Sequence, residues 1–164
     1  MQAQKKQISE SSDNDQIAWG RQENRAPWKV IIADDEPEIH SVTRLVLDDF
    51  QFDNRRLQFL SAFSGAETCA LIRQNPDTAL ILLDVVMESE HAGLDVVRCI
   101  RETLKNGFVR IILRTGQPGQ APERKVISAY DINDYKDKTE LTTDRLYTTI
   151  MASLRAYRDL QRIE

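Results

Sequence analysis

The feature that most constrains the fold of this chain is a pair of short, continuous apolar runs that each stop at aspartate. They are Val30-Ile31-Ile32-Ala33 before Asp34-Asp35, and Ala79-Leu80-Ile81-Leu82-Leu83 before Asp84. A short run with no polar alternation fits a strand covered on both faces, as strands of a parallel sheet are. Such strands need helical crossovers above and below them. The carboxylates that follow the runs then lie beyond the carboxyl edge of the sheet, where open α/β folds hold their ligands.

The rest of the chain alternates in the same way. Pro37 suits a first helical turn, and Ile39, Val42, Val46 and Phe50 then recur at helical spacing. Leu57 to Phe63 reads as a second strand, and Ser64-Gly65-Ala66-Glu67 has capping-box spacing for a helix that stops before Asn75-Pro76. Beyond the third strand, Leu94, Val97, Ile100 and Leu104 mark an amphipathic helix closed by Asn106-Gly107. Val109 to Leu113 is a fourth strand ending at Thr115, and Pro122 to Tyr130 a short helix after a Gly/Pro-rich loop. Asp134 to Lys138 is a polar fifth strand, and a last helix begins near Thr142 with Asp144 at its positive end. This order predicts an α/β domain: one five-stranded parallel sheet with helices on both faces, right-handed crossovers and an extended C-terminal helix.

A length of 164 residues suits one such domain. A net charge of −4 gives no reason to expect a nucleic-acid surface. No apolar run approaches the ~20 residues needed to span a bilayer and no signal segment opens the chain, so a cytoplasmic protein without membrane contact is expected. Residues 1–26 are polar and read as a tail, 27–156 as the domain, and 157–164 as a projecting helix end or a linker to an output domain absent from this chain. Trp19 and Trp28 are expected to pack on the domain's own surface. Cys69 and Cys99 fall inside helical patterns, form no CxxC pair, and are expected to be buried free thiols.

Asp34, Asp35, Asp84, Thr115 and Lys138 all fall at or just past strand ends and are expected to converge. Crowded carboxylates repel one another unless a cation joins them. Hard oxygen donors suit Mg²⁺, with Asp35 and Asp84 as direct ligands, Asp34 acting through water, and the Val86 backbone carbonyl completing the set. A carboxylate beside Mg²⁺ can attack a phosphoryl group, which makes Asp84 the candidate nucleophile. Thr115 can donate to a phosphoryl oxygen, and Lys138 can pair with the carboxylate before transfer and with the phosphoryl group after it.

Over roughly residues 28–156 the chain resembles the receiver domains of two-component signalling (CheY-like). The resemblance rests on Ile32-Ala33-Asp34-Asp35-Glu36-Pro37, Leu83-Asp84-Val85-Val86-Met87 and Thr115-Gly116. It implies a flavodoxin-like fold and a switch phosphorylated at Asp84 by a sensor histidine kinase or phosphotransfer protein. Such a domain catalyses only its own phosphotransfer and dephosphorylation. The family places an aromatic residue three positions before its lysine, which selects Tyr135 with Lys138 over Lys136 and makes Thr115 and Tyr135 the implied switch pair. Three positions depart from the family. Glu88 replaces a proline in a loop, Glu88 to Gly93, that is longer by one residue; Thr139 replaces the proline after the lysine. Arg114 precedes Thr115, either to steer a phosphodonor or to pair with an acidic neighbour on the opposite face. The run Arg114 to Arg124 resembles receiver modules at the N-terminus of larger signalling proteins with a cyclic-dinucleotide phosphodiesterase or histidine-kinase output.

Two other readings compete. A phosphorylation-independent dimerisation scaffold would keep the fold but ignore a phosphoryl analogue. A Mg²⁺-dependent aspartyl-phosphate phosphohydrolase would need a second Asp two residues after the nucleophile, where this chain has Val86. An apolar Val86 cannot orient a hydrolytic water, which predicts a long-lived phosphorylated state unless Gln117 holds that water instead. Tyr147, Ile150, Leu154 and Tyr157 have the spacing of a coiled-coil seam; the first half of the stripe, with Ile150 and Leu154, is expected to be the helix's core face, and the second half to project and pair with a second copy in a homodimer.

Overall fold

The inner strands are the apolar runs. In a computed structural model that describes residues 25–116, 124–138 and 143–163, β1 (Trp28–Ala33) pairs in parallel with β2 (Leu57–Ala62) and with β3 (Leu80–Asp84). β4 (Arg110–Thr115) pairs with β3, and β5 (Asp134–Asp137) with β4. The sheet order is β2-β1-β3-β4-β5, so strand order reverses between β1 and β3. That reversal opens a crevice at their carboxyl ends.

Alternate residues of each strand serve opposite layers. Ile31, Ala33, Ile81, Leu83, Ile111 and Leu113 pack on one face with Ile72 of α2 (Gly65–Gln74) and Val96 and Val97 of α3 (Ala92–Arg98). On the other face Val30, Leu80, Leu82 and Ile112 meet Leu47 and Phe50, which follow α1 (Pro37–Val46), and Leu146, Ile150 and Leu154 of α5 (Thr143–Ile163). The short α4 (Arg124–Ala129) precedes β5. Among the described residues no helix is long and apolar enough to cross a membrane.

Several expectations are corrected. Of the expected stripe Ile39, Val42, Val46 and Phe50, Phe50 is buried and Val46 packs against the core, but Val42 is 57% exposed, and the inward face is completed instead by His40, Thr43 and Leu47. Both sets have helical spacing, but the first turns of α1 lie against the polar end of the sheet, where a hydroxyl and an imidazole find partners. The third helix does not close at Asn106-Gly107 as a regular α-helix. It widens into a π-segment over Cys99–Thr103, and Lys105 takes the left-handed conformation at φ 53°. The Asn106 side chain then accepts from the backbone N–H groups of Phe108 and Val109 at 3.0 and 3.1 Å and leads the chain into β4.

Cys69 and Cys99 are not buried free thiols. They are half-buried and joined in a disulfide, with Cα atoms 6.4 Å apart. α2 and α3 lie side by side on one face of the sheet, which brings together cysteines that are far apart in sequence.

Trp28 lies in the core rather than on the surface, donating from its indole to Phe52 O at 2.9 Å and meeting the Tyr157 ring edge-on at 6.2 Å. Tyr157 is therefore inside the domain, beyond the boundary expected at residue 156, and its hydroxyl donates to Asp77 O at 3.3 Å. Ile150 and Leu154 are buried, as the core face of the last helix was expected to be, but the expected projecting seam does not begin at Tyr157, which is buried as well, and Tyr147 lies against Phe50 at 4.8 Å. Of the expected tail, the described Arg25 and Ala26 are bound to the turn after α1. Trp19, Gln117, Pro122, Thr139 and Thr142 lie outside the described residues.

Candidate functional site

Asp34 and Asp84 follow or end the two inner strands at the point of reversal, and Asp35 is one residue further out. Their carboxylate oxygens lie within 4.8 Å of one another, with Asp34 and Asp84 buried and Asp35 exposed. A cleft of about 280 Å³ opens above them, lined by Asp35, Glu36, Asp84, Val86, Thr115, Gly116 and Lys138. All the strand-end residues expected from the sequence thus border one space or the carboxylate cluster beneath it.

Lys138 is held there because its backbone N–H donates to Thr115 O at 2.7 Å, extending the β4–β5 pairing past the strand. Its ammonium lies 2.9 Å from Asp34 Oδ2, 3.1 Å from Asp84 Oδ2 and 3.8 Å from Glu36 Oε1. Burial disfavours that ammonium, but its attraction to Asp34 and Asp84 outweighs the effect and holds its pKa above the usual lysine value. Lys136 instead pairs with Asp134 at 3.4 Å.

For Asp84, burial and the neighbouring Asp34 charge push the pKa up to about 6, against the opposing pull of Lys138. Asp34 Oδ1 accepts from Glu36 N at 2.9 Å, turning the chain into α1. Its Oδ2 is fully buried and close to Lys138, but outside the geometry of a hydrogen bond. A carboxylate oxygen of this kind, beside two other carboxylates and the wall formed by Val86, is a hard donor set that fits Mg²⁺. Thr115 is buried at the end of β4, and Tyr135, in register with Leu113, is half-buried against the α2–α3 side of the core.

Three residues shape the site in ways the sequence did not disclose. Gly93 donates to Val85 O at 2.9 Å, and a Cβ there would meet Asp84 O at 2.4 Å and Val85 Cα at 2.7 Å, so only glycine lets α3 start against the end of β3. Glu88 accepts from Gly65 N through both oxygens, at 2.7 and 2.8 Å, tying the loop after β3 to the positive end of α2. His40 bonds Asp34 O through Nε2 at 2.8 Å and Ser61 Oγ through Nδ1 at 2.9 Å. A carbonyl only accepts, so Nε2 carries the proton and Nδ1 accepts from the Ser61 hydroxyl.

Arg114 differs from both expectations. It is only 3% exposed, too deep to meet a phosphodonor, and it donates from Nη1 to the Thr43 hydroxyl at 3.2 Å rather than to a carboxylate. Burial lowers its pKa, opposed by attraction to Asp34 and Asp84.

No family model matches the chain. It is 55% identical over 141 residues to 3'3'-cGAMP-specific phosphodiesterase 2 of Vibrio cholerae, a match that covers 86% of this chain and 27% of that protein. Among solved structures it resembles the CheY-like response regulator receiver domain from Methanospirillum hungatei, with a TM-score of 0.60 and 24% identity over 77% of this chain and 96% of that one. It also resembles Vibrio cholerae chemotaxis protein CheY4, with a TM-score of 0.61 and 23% identity over 78% of this chain and 99% of that one. A third likeness is the N-terminal domain of a response regulator/sensory box/GGDEF 3-domain protein from Carboxydothermus hydrogenoformans, with a TM-score of 0.66 and 18% identity over 80% of this chain and 97% of that one. The chain has the fold of the CheY-like signal receiver domains it resembles, and it spans about a quarter of the length of the curated relative it matches.

Proposed function

We propose that the domain is a phosphorylation-dependent signalling switch in which Asp84 accepts a phosphoryl group from the phosphohistidine of a sensor histidine kinase or phosphotransfer protein. The observation that carries this reading is the single carboxylate at the end of the central strand with an ammonium 3.1 Å from its Oδ2 and the open cleft above it. An Asp84 oxygen attacks phosphorus; the O–P bond forms as the P–N bond of the phosphoimidazole breaks, and the departing imidazole takes a proton from solvent. Asp35, Asp84 and the Val86 carbonyl, with Asp34 acting through water, would hold Mg²⁺, which would supply neutralisation of charge on the transferring oxygens. Lys138 moves its pairing from the Asp84 carboxylate to the phosphoryl group, and Thr115 donates a hydrogen bond to it. As Thr115 shifts, Tyr135 repacks, and the populations of two packings change.

The domain reports this state to an output rather than turning over a substrate of its own. Its 55% identity to part of a phosphodiesterase named for 3'3'-cGAMP supports a cyclic-dinucleotide phosphodiesterase as that output in a longer protein.

The test is labelling with acetyl phosphate and Mg²⁺, followed by borohydride reduction and mass mapping. The label is expected on Asp84, and Asp35→Asn is expected to abolish it. Label on Asp34, Asp35 or a hydroxyl, or an unlabelled wild type, overturns the reading.

A further inference from the structure

Among the described residues, the buried side-chain atoms without a hydrogen-bond partner are Asp34 Oδ2 and Arg114 Nε and Nη2. One is an anionic oxygen and the others are cationic donors, and they belong to one neighbourhood. Arg114 stands opposite Asp84 in the β3–β4 register. Register partners in adjacent strands stand about 4.8 Å apart and direct their side chains to the same face. The guanidinium therefore runs beneath the acidic cleft on the α1 side, anchored at Thr43.

Burying a guanidinium with two donor atoms unspent is costly, and breaking even is possible only where opposite charge lies close. An aliphatic side chain such as the adjacent Leu113 fills a strand position without that cost. What distinguishes this position is the acidic cluster, whose charge acts on Arg114 from Asp34 and Asp84. Lys138 alone leaves the three carboxylates two charges short of balance, and Arg114 reduces the deficit to one.

We propose that Arg114 is a positioning residue, a fixed counter-charge beneath Asp34 and Asp84 that holds the carboxylates together in the metal-free domain and weakens Mg²⁺ binding. The cation then stays exchangeable and the site avoids being locked in its metal-bound form. The inference deepens the proposed function, resting on its Mg²⁺ site but not on phosphorylation.

The test is the Mg²⁺ affinity of the full chain, read from melting temperature against Mg²⁺ concentration at constant ionic strength. Arg114→Met removes the charge at similar volume and is expected to bind Mg²⁺ about tenfold more tightly, from the loss of one like charge at short range. Arg114→Lys keeps the charge and is expected to stay near wild type. If the Met variant does not fold, Arg114→Gln, which keeps a donor for Thr43, is read in its place. A purely structural role changes the melting temperature without Mg²⁺ but not the affinity, and equal affinities in a wild type that binds Mg²⁺ overturn the proposal. A wild type that does not respond to Mg²⁺ overturns the metal site itself, and labelling at Asp84 tests the phosphoacceptor separately.

Discussion

At the level of single residues, Asp84 is an anion kept in an unfavourable place. Its pKa of about 6 lies above the ~3.9 of an unfolded aspartate. As pH rises the unfolded chain gives up this proton first, so ionisation of Asp84 favours unfolding between about pH 4 and pH 6. The stability this group contributes is complete below that window and lost above it. In the presence of chelator, the melting temperature of wild type is expected to fall across the window relative to Asp84→Asn, and Mg²⁺ is expected to cancel the difference. A parallel pH dependence in the two proteins would refute it. Val86 offers no polar atom from its side chain beside Asp84, so Val86→Asn is expected to hasten loss of the phosphoryl group; an unchanged decay of the phosphorylated species argues the other way.

At the level of elements, the site is set by how α2 and α3 begin. Gly93→Ala forces a Cβ into the backbone of Asp84 and Val85, and is expected to cost about 1–3 kcal/mol in urea denaturation while displacing the loop after β3. Glu88→Ala removes the acceptor at Gly65 N, at a cost of about 1 kcal/mol by the same measurement. α5 behaves differently from a free signalling helix. Ending the chain after Arg155 removes Tyr157 and its contacts with Trp28 and Asp77, so the shortened protein is expected to be less stable than wild type by about 3 kcal/mol or more. Equal urea midpoints would mean that the last turns of α5 pack only weakly.

At the level of the whole molecule, the Cys69–Cys99 bond is a covalent tie between α2 and the π-segment that continues α3, closing a loop with a sequence separation of 30. Constraint of the unfolded chain by such a loop is worth about 2–4 kcal/mol. Reduction, or Cys69→Ser, is expected to lower the unfolding free energy by that order, with thiol counting to verify the state of each sample. The tie lies on the same face as the loop that Glu88 fastens to Gly65, so two different links hold the α2–α3 layer beside the acidic cleft. The layer under α1 and α5 has no such link among the described residues and depends on apolar packing around Phe50, Ile150 and Leu154.

The sequence by itself determined the order of strands and helices, because continuous apolar runs and capping residues are local signals. It also determined which residues crowd the carboxyl edge, because Asp34, Asp35, Asp84, Thr115 and Lys138 follow directly from where each strand ends. The nearness of Lys138 rather than Lys136 to Asp84 was legible only through the aromatic spacing at Tyr135; Lys136 falls to Asp134. Tertiary structure decided the rest. Val42 and Thr43 share one helix, and only the polar sheet edge above Arg114 turns the threonine inward. Tyr157 continues the spacing of Ile150 and Leu154 whether it meets a second helix or its own domain, and the domain claims it because Trp28 already lies there. Cys69 and Cys99, Glu88 and Gly65, and Arg114 and Thr43 are pairs separated along the chain, and no local periodicity encodes a contact that exists only once two layers have packed.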